Sequence, residues 1–335
     1  MAQERRIVAR SDLVKRMIQS HQRGDDPEFR RAAEEVVSDE RRKRHDVVAD
    51  DLERILDGRQ GRRPLTVSSL KPLPMTRDEI PLLRLIQPQV NLTDLVLKEP
   101  TLALLDDVMS EYRQQEVLAA HSLRPRNRLL FLGPPGCGKS QSAEAVAYQL
   151  GVPLAKVQLA SVVSSFLGET SKHLDQILSF CEGNWVLLFD EIDTLAKERG
   201  DRTEHGELRR VVATFLQLLD DYDGDALIIA TSNHPALLDE AVWRRFDEVV
   251  AFDMPNQAEV AEVVRVKLRL FKTKFSRTEV ARKLKGCSHA EVELVCRDAA
   301  RHAVLAGRTV IEGADIDRSV AGMTRRRHEV ERFLM

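Results

Sequence analysis

The run Gly133-Pro134-Pro135-Gly136-Cys137-Gly138-Lys139-Ser140 places three glycines, a lysine and a hydroxyl within one short loop. Such a loop can wrap its main-chain N–H groups around phosphate oxygens. Glycine lets the chain turn inward without Cβ clashes, and a helix starting just after it adds a partial positive charge. Lys139 then supplies a point charge for the β- and γ-phosphates, and the Ser140 hydroxyl a ligand for Mg²⁺. Pro135, Gly136, Cys137, Gly138, Lys139, Ser140 and Gln141 are therefore the candidate nucleotide-binding residues.

A second stretch carries acid chemistry. Val186-Leu187-Leu188-Phe189 runs directly into Asp190-Glu191. An apolar strand ending in two acids sets them at the carboxyl edge of a sheet, beside the phosphate loop. Asp190 can hold Mg²⁺, directly or through water. Glu191 can orient and polarise a water for in-line attack on a γ-phosphate. Binding alone would need only the first acid; hydrolysis needs the second.

The elements around these residues must position them. Arg128–Leu132 reads as a buried parallel strand and 141–150 as the helix after the loop. Strands are expected at 154–159, 185–189, 226–230 and 248–252. Helices are expected between them at 169–181, 204–219 and 235–242, and a long helix precedes them at 101–121. The alternation predicts an α/β fold, a five-stranded parallel sheet between helices. Residues 78–254 form this large subdomain. Past Pro255 the pattern is helical only, at about 256–272, 277–284, 289–306 and 313–321, giving a small helical lid over 255–335. Residues 1–57 read as three amphipathic helices forming an N-terminal domain, the second opened by Asp26-Pro27. Residues 58–77, rich in Gly, Pro, Arg and Ser, read as a linker.

Composition limits the remaining choices. The 335 residues are 43% hydrophobic and 31% charged, with net charge -2, which gives no whole-chain argument for nucleic acid or a membrane surface. Only 5% are aromatic, which argues against a base-stacking platform. The basic run Arg41-Arg42-Lys43-Arg44 sits in a segment of mixed charge, and nucleic acid is not the expected partner. No apolar run is long enough for a membrane span, and no secretory signal is visible. Four cysteines without a C-x-x-C pair suit a reduced, cytoplasmic protein. Cys287, His289, Cys296 and His302 match no zinc-ligand spacing.

The stretches GPPGCGKS, LLFDEID and ATSNHPALLDEAVWRRFD together resemble the main clade of AAA ATPases, close to the katanin and spastin group, over about residues 90–325. The resemblance implies an ATPase with ATP and Mg²⁺, assembled as a homo-oligomeric ring, a hexamer, that threads protein substrates through its pore. It implies that Asn233 senses the γ-phosphate or attacking water. Arg244 and Arg245 match paired arginine fingers that reach the neighbouring subunit's ATP, a fork suited to phosphate oxygens. His289 and Ala290, in Gly286-Cys287-Ser288-His289-Ala290-Glu291, would line the adenine. Phe166 and Leu167 match the first pore loop and 197–207 the second. The N-terminal wording is similar to bacterial stand-alone AAA proteins encoded beside a subtilisin-like serine protease in phage or plasmid defence. Two rivals stay open: a nucleic-acid translocase or loader, and a nucleotide-gated scaffold that does not thread.

Overall fold

The computed structural model describes residues 13, 15–17, 19–20, 26–42, 72–162, 169–194, 215–238 and 240–334. Two units are distinguished, residues 1–69 and 70–335. In the first, helix α1 (Asp26–Arg42) begins where Asp26-Pro27 predicts, with proline in the first turn, where its missing N–H is not needed. Ala32, Ala33 and Val37 are buried on one of its faces. Arg16 pairs with Glu28 at 2.6 Å and with Glu35 at 3.0 Å. The third expected N-terminal helix lies outside the described residues.

The second unit holds a six-stranded sheet ordered β1-β3-β4-β5-β2-β6. Its members are β1 (Leu83–Ile86), β2 (Arg128–Leu132), β3 (Leu154–Val157), β4 (Val186–Phe189), β5 (Leu227–Ser232) and β6 (Glu248–Ala251). The five expected strands are parallel. A sixth, β1, adds an antiparallel edge on β3, with Leu83 opposite Val157 and Ile86 opposite Leu154. It sits between Pro81 and Pro88 in a generally apolar stretch and does not stand out as a separate run, so this strand was not expected.

Successive side chains of a strand point to opposite faces, and both faces are apolar. Leu129 and Phe131 of β2, Val186 and Leu188 of β4, and Leu227 and Ile229 of β5 pack with α2 (Glu99–Arg113) and α3 (Lys139–Leu150). Leu130, Leu132, Leu187, Phe189, Ile228 and Ala230 face the other way, against α4 (Glu169–Phe180) and helical residues 215–221. The result is three layers. The predicted helix 101–121 divides at Gln114, whose backbone leaves the helical region, and a second piece runs from Gln115 to Ala120.

A third core lies within residues 260–323. It packs α5 (Gln257–Lys267), α6 (Arg277–Lys283), α7 (His289–Leu305) and the start of α8 (Gly313–Leu334). Capping boxes open two of them: Asn256 with Glu259, and Ser288 with Glu291. The all-helical expectation misses a small parallel pair here, β7 (Lys272–Lys274) with β8 (Val310–Glu312). β7 is exposed throughout, so it leaves no apolar pattern to read. The last helix runs to Leu334, well beyond the expected 321.

Asp315, 6% exposed, holds the turn into α8. Arg308 forks onto it at 2.8 and 2.6 Å, and the Glu312 amide donates to it at 2.9 Å. The Arg308 hydrogen bonds outweigh burial and hold its pKa down at about 2. A carboxylate with its folded pKa below the unfolded value stabilises the fold above the unfolded pKa. That stability disappears as pH falls through the folded one. Asp315→Asn should therefore cost about 1 kcal/mol at neutral pH. The gap in denaturant midpoint between wild type and variant should narrow as pH drops from about 5 to about 2. An unchanged gap would mean that the pair contributes no linked stability.

Candidate nucleotide site

The loop from β2 to α3 takes its shape from two glycines. Gly133 has φ +145°, and a Cβ there would stand 1.9 Å from the Phe252 carbonyl oxygen, so no side chain fits. Gly136 has φ +74°, with a Cβ position 2.8 Å from Ser288 Oγ. The Gly133 N–H is held by the Ser232 carbonyl at 3.3 Å, and the Ser142 N–H donates to Gly138 at 2.8 Å to start α3. The concavity therefore faces a helix N-terminus, a favourable place for an anion.

Lys139, 5% exposed, reaches back into this concavity. Its ammonium donates to the carbonyls of Gly133 at 2.6 Å and Pro134 at 2.8 Å, and to Asn233 Oδ1 at 2.7 Å. Burial lowers its pKa, opposed by the Cys137 thiol and by the carboxylates of Asp190, Asp193 and Glu191. Asn233, just past β5, turns its amide onto Glu191 Oε1 at 3.0 Å. One side chain thus links the loop lysine to the second acid. Asn233 is itself fixed by its N–H on Asp193 Oδ1 at 2.9 Å.

The first acid is bound from three sides. Asp190 Oδ1 accepts from Ser140 Oγ at 2.6 Å and Thr231 Oγ1 at 2.8 Å, and Oδ2 pairs with Lys156 Nζ at 2.5 Å. Burial pushes the carboxyl pKa up, but these hydrogen bonds prevail and its pKa lies below the ordinary value. Glu191 sits at φ +57°, an uncommon backbone for a residue with a side chain. Its N–H is anchored on Thr231 Oγ1 at 2.9 Å. The Ile192 N–H on the Thr231 carbonyl, also 2.9 Å, continues the link between the β4 and β5 ends.

Pro135, Gly136, Gly138, Lys139, Ser140, Gln141, Asp190, Glu191, Asn233 and Ala290 are thus brought to one open cleft. Hard oxygen donors, the Ser140 hydroxyl and the Asp190 carboxylate, meet at its floor, a donor set suited to Mg²⁺. Cys137 and His289 lie apart, in a small adjoining hollow with Val96 and Leu97. The Cys137 thiol, 1% exposed, packs on Met254, and burial raises its pKa. Burial lowers the His289 pKa, and its Nδ1 is buried without a hydrogen-bond partner among the described residues. The Ala290 N–H donates to the Gly136 carbonyl at 3.0 Å. Arg244 and Arg245 do not line the cleft of their own chain; Arg245 Nε donates to Asp220 at 2.9 Å. Phe166, Leu167 and the 197–207 stretch lie outside the described residues.

A model of the ATPase family associated with various cellular activities, AAA, matches residues 129–254. A Sinorhizobium fredii protein described as an uncharacterized AAA family ATPase is 35% identical over 96% of this chain and 97% of its own length. The chain belongs to the AAA family of ATPases. It is also similar to the proteasome-activating nucleotidase of Methanococcus maripaludis, 29% identical over 63% of this chain and 54% of that protein. A cell division cycle protein 48 homolog of Archaeoglobus fulgidus is 31% identical over 60% of this chain and 28% of its own. The ATPase thus spans about half the length of that nucleotidase, and less of the latter relative. Among its described residues, no helix is long and apolar enough to cross a membrane.

Three residues of this polar cluster escaped the sequence reading: Lys156, Asp193 and Thr231. Each is a polar residue in or just after an apolar strand run, which makes it unusual there but does not say what it meets. Thr231 is the most informative, since one hydroxyl serves both acids. Thr231→Val keeps the shape and removes both hydrogen bonds. It should lower kcat roughly tenfold, in line with about 1–3 kcal/mol for stranding such groups, with ATP affinity held within a few-fold. Turnover and nucleotide titration on one preparation check this. Normal kcat in a folded variant would deny Thr231 its part.

Proposed function

We propose that this chain is a ring-forming, hexameric ATPase that couples ATP hydrolysis to pulling a protein through its central pore. The carrying observation is the chain of contacts from Lys139 through Asn233 to Glu191, set against the Ser140–Asp190 pair. It gathers on one cleft the groups needed for phosphate binding, metal binding and water activation.

In this reading Lys139 binds the β- and γ-phosphates, whose oxygens compete with the Gly133 and Pro134 carbonyls for its ammonium. Pro135 to Gln141 wrap the phosphates. His289, with Cys137 nearby, walls the base-side hollow, and Ala290 closes the lid onto the loop. Ser140 and Asp190 would hold Mg²⁺, which when bound neutralises phosphate charge and fixes the triphosphate. Glu191 orients the attacking water at a carboxylate oxygen and receives its proton. Asn233 keeps that carboxylate aimed while touching the lysine. Arg244 and Arg245, turned away from their own cleft, serve the neighbouring subunit's ATP, where a guanidinium fork stabilises developing charge.

Phe166 and Leu167 grip substrate in the channel. A flat apolar ring can wedge between side chains without reading sequence. Similarity to a protein named for activating a proteasome supports delivery of substrate to a protease. The N-terminal wording favours a subtilisin-like serine protease and a defence role, within the katanin- and spastin-like part of the family. Four free, buried cysteines fit the reducing cytoplasm.

Glu191→Gln should bind ATP and lose about 10²–10⁴ in turnover, the usual scale for a positioned base. Near-normal turnover would mean that another group activates the water. Phe166→Ala tests the pulling itself. It should leave ATPase within a few-fold of wild type yet abolish unfolding of a tagged substrate, with melting temperature as the folding control. Undiminished unfolding by a folded Phe166→Ala ring would remove threading and leave a nucleotide-gated scaffold.

A further inference from the structure

Lys156 is a part of the Asp190 cluster that phosphate binding does not call for. It lies on β3 opposite Leu188 of β4, the residue two before Asp190, so the neighbouring strand carries its ammonium to Asp190 Oδ2 at 2.5 Å. The aspartate side chain is 13% exposed and the lysine 35%, so the pair is half sheltered from water. Lys156 does not line the phosphate cleft; it approaches Asp190 from outside, while Lys139 occupies the inside. Oδ1 is already shared by Ser140 and Thr231, which leaves Oδ2 to the ammonium.

A carboxylate paired in this way has little net charge to offer a cation. One hydroxyl beside a neutralised carboxylate is a weak site for a strongly hydrated ion such as Mg²⁺, which leans on substrate phosphates for the rest of its binding. We propose that Lys156 is a positioning residue. It fixes the Asp190 carboxylate and cancels its charge, so that this ATPase takes up its divalent cation only together with nucleotide phosphates. The proposal rests on the reading of Ser140 and Asp190 as the metal side of the site. Its consequence is an order of events: Lys156 keeps the cleft from loading metal in advance, and the ion enters as part of the metal–nucleotide complex.

Mn²⁺ is the probe, followed by the paramagnetic resonance of the free ion, with full-length protein and with or without ADP. Wild type should bind no Mn²⁺ at this site without nucleotide. Lys156→Met should gain measurable nucleotide-free binding. It should also bind Mn²⁺ about tenfold more tightly in the ADP complex, as expected for removing a unit charge a few ångströms from a divalent ion. The gain should shrink at high salt. Lys156→Arg keeps the charge and should stay near wild type. Lys156→Gln repeats the neutral test should the Met variant fail to fold, and melting temperatures accompany each. Asp190→Asn separates the two layers. If it leaves Mn²⁺ affinity in the ADP complex intact, the metal reading of Asp190 is wrong. If it weakens Mn²⁺ while both neutral Lys156 variants bind no tighter than wild type, only the role of Lys156 is overturned. Nucleotide-free Mn²⁺ binding by wild type equal to that of the neutral variants overturns it as well.

Discussion

Everything at the site depends on the parallel register of β2, β4 and β5. Leu132 stands opposite Ser232, and Phe189 opposite Ala230. That register brings the residues just beyond the strand ends to one line: the phosphate loop after β2, the two acids after β4, and Asn233 after β5. A side chain contributes to this chemistry only if its strand stops at the right height, because parallel strands release their chains at a common edge. The apolar packing on both faces of the sheet sets that height. The polar cluster then needs only short hydrogen bonds to close it.

That cluster is dense, and its density constrains it. Asp190, Thr231, Glu191, Asn233 and Lys139 form a continuous path of contacts between 2.7 and 3.0 Å. Polar networks in sheltered surroundings hold their members firmly when every bond is made and lose much when one is missing. The positive φ at Glu191 belongs to the same economy: a strained backbone persists where neighbours over-determine it, and here the Thr231 hydroxyl and carbonyl do so on consecutive amides.

Much of this was legible in the sequence, and the reasons are local. Gly133, Gly136 and Lys139 stand within one short loop between an apolar strand and a helix, so their relation is visible in the local sequence. Asp190 and Glu191 end an uninterrupted apolar strand, which places them at an edge without knowledge of the neighbours. Lys156 and Thr231 were not found because their roles exist only once β3, β4 and β5 are aligned. Their partner, Asp190, is 34 and 41 residues away. β1 and β7 were missed for a different reason. β1 sits between Pro81 and Pro88 in a generally apolar stretch, and β7 is exposed throughout, so neither stands out from its surroundings as a separate apolar run. The break at Gln114 likewise follows from no proline or glycine.

The C-terminal helices meet the loop after β2 through atoms that every amino acid shares. The Ala290 amide and the Gly136 carbonyl form the link, and neither belongs to a side chain. A contact of this kind survives sequence drift at position 290, since any residue but proline brings the same N–H. Motion of the loop can therefore reach α7 by a route that point mutation seldom cuts. The vulnerable partner is Gly136, whose missing Cβ makes room for Ser288 and Ala290 to approach. Variation at position 290 is thus better tolerated at this seam than variation at Gly136, where an added Cβ would meet the buried, helix-capping Ser288.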